Sequence, residues 1–248
     1  MGKFIKWLRR ADSRRGYTCD WCGREVFSYP TFRVCDFCEA EMQYNGERVC
    51  PKCGRETVAE GVCLTCKAAP PAFALGVSAF VYDGESATLV NALKEGRKRL
   101  ALYLGEKTAE RLLHDHRDLL MQTEWLVVPV PLTPRSLRQR GYNQAETLVQ
   151  AIVTPLEKAG VKLEIDPDIL QKHRETGAQK DLEAKNRREN VAGAYRVHKR
   201  AACRGKNVLL VDDIMTTGAT GDECAKILLS AGAAQVLFCV AAATPENP

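Results

Sequence analysis

The chain has 248 residues, 45% of them hydrophobic, which is enough for one ordinary domain with a sizeable core and a smaller unit beside it. No apolar run approaches membrane-spanning length, which excludes membrane insertion; the N-terminus lacks the apolar stretch and cleavage site of a secretory signal, so a cytoplasmic location is expected. The formal charge of +5 is local: residues 1–15 hold six basic residues against Asp12, and global charge gives no argument for nucleic acid.

Residues 1–16 read as a basic arm, either a frayed tail or a short amphipathic helix with Phe4, Trp7 and Leu8 on one side. Residues 17–68 are a cysteine module. Cys19/Cys22, Cys35/Cys38, Cys50/Cys53 and Cys63/Cys66 form four Cys-x-x-Cys pairs. Each pair can grip a metal ion from a tight turn, and two pairs close a tetrahedral site. Disulfides are disfavoured in a chain with no secretory signal, and four repeated pairs do not suit a redox enzyme. Two structural zinc ions, four cysteines each, are therefore expected. Pairing in chain order gives two small ribbons and is preferred; crossed pairing gives an interleaved module. Trp21, Phe27, Tyr29, Phe32, Phe37 and Tyr44, with Arg24, Arg33 and Arg48, could stack on single-stranded bases, but packing around the metal is the preferred reading.

Ala68-Ala-Pro-Pro-Ala72 reads as a stiff linker, which opens a second domain over residues 69–248. A strand is predicted over Phe73–Tyr82, a helix through Leu89, Val90 and Leu93, a basic break at Lys94–Arg99, and a helix from Leu100 to about His114, with His114 and His116 facing solvent. Trp125–Val128 is a buried strand stopped by Pro129-Val-Pro131. The following loop presents Arg135, Arg138 and Arg140, whose guanidinium groups could clamp a pyrophosphate. Asn143 and Glu146 resemble a capping box opening the next helix. Gln171–Asn190 is basic and nearly free of large apolar residues, a loop that could cover an anion; Tyr195–Val197 and Gln235–Ala243 are strands. Cys203, Cys224 and Cys239 are unpaired and read as packing.

The most informative stretch is Val208–Thr220. Four apolar residues suit a buried strand, Asp212 and Asp213 close it, and Thr216-Thr217-Gly218-Ala219 turns into a helix that Thr220 could cap, running to about Ser230. A strand, a glycine turn and a helix N-terminus make a phosphate cradle. Carboxylates beside a phosphate make sense if they accept hydrogen bonds from vicinal hydroxyls or hold a divalent cation. Successive strand residues point to opposite faces, so both acids reach one sugar only if the chain leaves strand geometry there. Strands alternating with helices argue for an α/β domain with a mainly parallel sheet, its ligand beyond the strand carboxyl ends.

This stretch is similar to the 5-phosphoribosyl-1-pyrophosphate (PRPP) signature of type I phosphoribosyltransferases. With the Cys-x-x-Cys knuckles, Pro129-Val-Pro131, Arg140-Gly-Tyr-Asn-Gln144, and Arg174, Thr176, Gln179, Leu182, Arg187 and Asn190, the whole layout resembles the competence-protein ComF family, in particular its ComFC-type members. The resemblance implies a type I phosphoribosyltransferase-like sheet with a small N-terminal zinc module. It implies PRPP bound with Mg²⁺, its ribose hydroxyls on Asp212 and Asp213, its 5′-phosphate wrapped by Thr216, Thr217, Gly218, Ala219 and Thr220, and its pyrophosphate near Arg140 and the basic loop. It implies a role in natural transformation, on incoming single-stranded DNA with a helicase-like partner. In 6-oxopurine salvage enzymes an Asp general base occupies the position of Thr216, so that chemistry is not expected here. The acceptor is not legible, and a non-catalytic module that senses PRPP or binds single-stranded DNA is the alternative to an enzyme.

Overall fold

Consecutive apolar residues, rather than alternating ones, build the central strands, and such strands must be covered on both faces. The computed structural model describes residues 18–26, 34–176 and 189–246. The basic arm, the module residues Phe27, Tyr29, Phe32 and Arg33, and Gln179, Leu182 and Arg187 of the basic loop lie outside the described residues.

The described strands are β1 (Leu75–Val81), β2 (Glu124–Pro129), β3 (Lys162–Ile165), β4 (Leu170–Lys172), β5 (Tyr195–Val197), β6 (Asn207–Met215) and β7 (Gln235–Ala243). The described helices are α1 (Asp36–Ala40), α2 (Leu64–Ala68), α3 (Gly84–Lys94), α4 (Leu100–Met121), α5 (Pro134–Arg140), α6 (Gln144–Lys158), α7 (Arg200–Cys203) and α8 (Ala219–Ser230). Five strands form a parallel sheet in the order β1-β7-β6-β2-β3, and β4 and β5 make a small antiparallel pair beside it. One face packs Leu209, Val211 and Leu237 against Leu89 and Leu93 of α3, Leu104 and Leu112 of α4, and Leu148 and Ile152 of α6. The other packs Val208, Leu210 and Phe238 against Cys224, Ala225 and Leu228 of α8. Cys203, Cys224 and Cys239 are fully buried, as packing residues should be.

Several elements differ from the sequence expectation, among them the basic loop, whose first residues Gln171 and Lys172 belong to β4 because they pair with Arg196 and Tyr195 of β5. Helix α4 runs to Met121, past the expected end near His114, with His116 displaced to φ −138° inside it. The extra turn has a reason to form: Leu120 is fully buried and its carbonyl accepts from the Trp125 indole at 3.3 Å. His114 is exposed, but His116 is half-buried, and burial lowers its pKa. Arg135, Arg138 and Arg140 lie on α5, a short helix that Thr133 caps through the Ser136 N–H, rather than on an extended loop.

The cysteine-bearing segment is docked against the sheet edge. Tyr44 pairs antiparallel with Phe80, the Asn45 N–H donates to Ala79 O at 2.8 Å, and the Val81 N–H donates to Gln43 O at 2.8 Å. Further along β1 the contact is backbone on backbone. The Gly76 N–H donates to Lys52 O at 2.9 Å, and a Cβ at Gly76 would lie 2.5 Å from Cys53 O. The converse holds at Gly54, where a Cβ would lie 2.4 Å from Gly76 O. The predicted linker is pinned, with the Ala72 N–H donating to Asp222 Oδ1 at 2.8 Å. Beyond β7, Glu246 donates from its N–H to Glu56 O and accepts the Leu64 N–H at 2.6 Å, capping α2.

Gly76→Ala forces these two backbones apart. We expect a loss of about 1–3 kcal/mol, the cost of overpacking a closed contact, read as a lower midpoint in thermal or urea denaturation. An unchanged midpoint would show that the seam yields freely.

Candidate functional site

The eight knuckle cysteines gather as two groups in chain order, Cys19/Cys22/Cys35/Cys38 and Cys50/Cys53/Cys63/Cys66. The sulfurs of each group lie within 4.8 Å of one another. Measured pairs are 4.0 Å for Cys19–Cys38, 3.8 Å for Cys22–Cys35 and 3.7 Å for Cys53–Cys63. Disulfides require a separation of about 2.05 Å, whereas a tetrahedron with ~2.3 Å metal–sulfur bonds has an edge of about 3.8 Å. The donor sets therefore fit zinc. Backbone amides support the thiolates: the N–H groups of Trp21, Cys22 and Cys35 point at Cys19 Sγ, and that of Cys66 at Cys63 Sγ, at 3.3–3.4 Å. In the second group Cys53 is held down at about 5, first by a hydrogen bond from Cys66 and also by Arg55 beside it. Trp21 and Tyr44 serve packing: Arg97 stacks on the Trp21 ring at 4.7 Å, and Tyr44 stacks on Phe80 at 4.9 Å. Phe37 is the exception, 72% exposed with only Arg24 over its ring.

At the carboxyl end of β6 the chain keeps strand pairing with β7 through Met215. The two acids consequently face opposite ways. Asp212 lies towards Lys172, Tyr195 and Cys224, whose titration it perturbs. Asp213 is 5% exposed and faces Lys94, whose Nζ is 3.4 Å from Oδ2, an oxygen with no hydrogen-bond partner. Burial, then the neighbouring charge of Asp213, holds the Asp212 carboxyl well above the usual aspartate range, although part of its surface meets solvent.

The loop after β6 turns at Gly218, whose φ of +80° places it in the left-handed region that favours glycine. Gly218, not Thr220, is the N-cap of α8, and Thr220 lies in its first turn. The N–H groups of Thr217, Gly218, Thr220 and Gly221 have no hydrogen-bond partner among the described residues, while the Ala219 N–H is met by Thr217 Oγ1 at 3.4 Å. A cluster of bare N–H groups on a helix N-terminus is an anion cradle.

Cations ring the acids. Lys94 and Lys98 come from the α3–α4 connection, and Lys98 lies 4.3 Å over the Tyr142 ring. Arg140, at the exposed end of α5, and Asp212 both act electrostatically on Lys172. Burial lowers the Lys172 pKa, and its Nζ donates to Thr176 Oγ1 at 2.9 Å. Arg135 and Arg138 are exposed on α5. Arg174 does not face the acids; it donates to the carbonyls of Asn190 and Ala192 and ties the base of the basic loop. Lys94, Lys98 and Arg55 were not expected here. Lys94 and Lys98 stood in view as a basic break, but only the topology brings that break to β6. Arg55 carries one signal, its position two residues after Cys53.

The phosphoribosyl transferase domain model matches residues 102–248. The chain belongs to that family. A DNA utilization protein YhgH of Escherichia coli (strain K12) is 29% identical over 218 residues, covering 87% of this chain and 92% of the relative. Competence protein F of Haemophilus influenzae is 27% identical over 226 residues, covering 88% and 86%. Competence protein ComFC of Streptococcus pneumoniae is 29% identical over 241 residues, covering 88% and 96%. These matches reach well beyond the transferase domain into the cysteine-bearing segment, and the chain is a ComF-family phosphoribosyltransferase-like protein. No described helix is long and apolar enough to cross a membrane.

Two outcomes follow from this geometry. Cys63→Ser removes one ligand of the second group and should lower bound zinc from about two ions per chain to about one by elemental analysis. A carboxyl whose pKa is raised by folding stabilises the fold while protonated; that contribution is full below the ordinary aspartate value and is lost as pH rises through the raised one. Ligand-free Asp212→Asn should therefore melt above the unsubstituted chain near pH 7, by about 2–4 °C for each kcal/mol of repulsion relieved, with the advantage shrinking towards pH 4. Equal melting temperatures across that range would mean that Asp212 is not held high.

Proposed function

We propose that this protein binds PRPP with Mg²⁺ at the β6–α8 loop, as a phosphoribosyltransferase-like component acting on incoming single-stranded DNA in natural transformation. The observation that carries this reading is the group of N–H donors of Thr217, Gly218, Thr220 and Gly221, bare among the described residues, beside the Asp212–Asp213 pair. An anion cradle alone would suit any phosphate. Two carboxylates next to it suit a ligand that also brings vicinal hydroxyls and a divalent cation.

In this reading the 5′-phosphate lies in the cradle of Thr216, Thr217, Gly218, Ala219 and Thr220. In this backbone Asp212 and Asp213 face opposite ways, so both accept from the ribose 2′- and 3′-hydroxyls only when the strand end turns on binding, with Asp213 exchanging Lys94 for the ligand. Lys94, Lys98, Lys172 and Arg140 face the pyrophosphate. Mg²⁺ would be held between the ligand and the acids and would neutralise the leaving charge. A nucleophilic acceptor bonds to the anomeric carbon as the bond to pyrophosphate breaks and the leaving group takes the electron pair. The protein contributes cations for the charge that develops and a site that excludes water. Thr216 supplies no carboxylate base, so an acceptor needing proton removal at that position is disfavoured. The domains in this reading are a basic arm (1–16), a module holding two structural zinc ions (17–68) and the transferase-like domain (69–248). The names of the relatives, competence protein and DNA utilization protein, support a DNA-linked role; a helicase-like partner and a cytoplasmic location belong to this reading through the family resemblance alone. The ring of cations also supports a second reading, in which the site binds single-stranded DNA without turnover.

Calorimetric titration of PRPP should give saturable binding that requires Mg²⁺ and vanishes in Asp212→Asn with Asp213→Asn, with zinc content unchanged. Retained affinity in the double variant would remove the ribose assignment. Binding of single-stranded DNA, measured by anisotropy, should fall as salt rises, with a log–log slope of about −0.7 per phosphate contacted. A flat salt response would exclude the cation ring as its source.

A further inference from the structure

Arg55 is 5% exposed, and its donors are divided between two places. Its Nε points at Cys53 Sγ at 3.4 Å, and one terminal nitrogen donates to the Thr216 carbonyl at 2.7 Å. Those two acceptors are 163 residues apart in the chain, one in the second cysteine group and one at the start of the phosphate cradle. The contact is closely filled. The gap shared by Cys53, Cys66, Phe73, Met215, Thr217 and Gly218 is narrow, leaving only about 10 Å³ in which the centre of a water molecule could lie. On its other side the same knuckle is fixed to β1 by the Gly54–Gly76 backbone contact.

The carbonyl that Arg55 holds controls the cradle. In a trans peptide the C=O of one residue and the N–H of the next point in opposite directions. The chain has no cis peptide among its described residues. Drawing the Thr216 carbonyl towards Arg55 therefore turns the Thr217 N–H away from the knuckle, and that N–H is the first of the bare donors. A guanidinium can serve both acceptors because its donors are set in a rigid planar fork; an ammonium is a single point.

We infer that Arg55 is a positioning residue that couples the second metal centre to the phosphate cradle, fixing the Thr216–Thr217 peptide so that its N–H is presented to ligand. This rests on the reading of residues 216–220 as the phosphate loop. It makes the second zinc site part of the ligand-binding apparatus, although no cysteine touches the ligand.

The test is hydrogen exchange of the hydrogen-bonded amides that the loop holds, Ala219 on Thr217 Oγ1, Asp222 on Gly218 O and Thr244 on Met215 O, in the full, zinc-loaded chain, for the unsubstituted protein, Arg55→Ala and Arg55→Lys. Zinc content is measured in each. The expected result is exchange about tenfold faster in Arg55→Ala, the size of one charge-assisted hydrogen bond. Arg55→Lys, which keeps the charge beside Cys53 and so keeps both zinc ions, should also exchange faster than the unsubstituted chain. Loop exchange unchanged in both variants overturns the inference. So does loss of the second zinc in Arg55→Ala with the loop still protected. This readout needs no ligand, so it stands apart from the PRPP assignment. Titration of PRPP with Mg²⁺ into the three proteins then tests that assignment separately: binding by the unsubstituted chain, weakened about tenfold in Arg55→Lys, supports coupling at the level of affinity. Equal affinity in the variants, beside an altered loop, removes the ligand-presenting role.

Discussion

Two glycines facing each other across a seam set the geometry of this molecule. Where Gly54 meets Gly76, the knuckle of the second cysteine group lies backbone against backbone on the edge strand β1. No side chain fits between them, so the second four-cysteine centre sits at a fixed height over the sheet. The cradle after β6 is within reach of that centre only because of this approach. The arrangement also covers an edge strand, which would otherwise expose unpaired N–H and C=O groups. Gln43 and Asn45 take up part of that edge, and Lys52 takes up another.

The cysteine segment is consequently a structural wall of the transferase domain. Its first knuckle reaches the α3–α4 connection: Arg99 donates to Asp20 Oδ1 at 2.7 Å, and Arg97 stacks on Trp21. Lys94, at the end of α3, opens that connection and lies beside Asp213, and Lys98 within it lies over the Tyr142 ring. Its second knuckle reaches Thr216 through Arg55. Each metal group thus touches a different loop at the carboxyl end of the sheet. In such a short segment a coordinated ion replaces the hydrophobic core that would hold the turns together.

Local patterns in the chain carried much of this. The apolar run Val208–Val211, the acids after it and the glycine turn are contiguous, so their order could be read directly, as could the ends of β7. The knuckle spacing likewise announced tetrahedral thiolate sites. What could not be read depends on contacts between distant residues. Thr220 looks like a cap because it precedes a helical pattern, but the helix starts at Ala219 and lies with Gly221 packed closely on the Phe238 ring. Ala68–Ala72 has the composition of a linker, and nothing local reveals that Asp222 will hold it. The opposed directions of Asp212 and Asp213 follow from strand alternation, yet only the pairing with β7 shows that the strand extends so far.

The position of β7 has a consequence for biosynthesis. Among the described residues strand β1 has one neighbour in the parallel sheet, and that neighbour is β7, which follows every other described strand in the chain. Early in translation the cysteine pairs emerge with β1, but the sheet they rest against is completed only when Gln235–Ala243 leaves the ribosome. Glu246 then closes the arrangement by capping α2. Through most of synthesis the thiols are therefore accessible to metal donors and to oxidants alike, and β1 is an uncovered apolar strand. Contacts spanning so much of the chain form slowly and leave such surfaces exposed to aggregation. Metal supply and chaperone capacity during translation would then bear on how much folded protein a cell obtains.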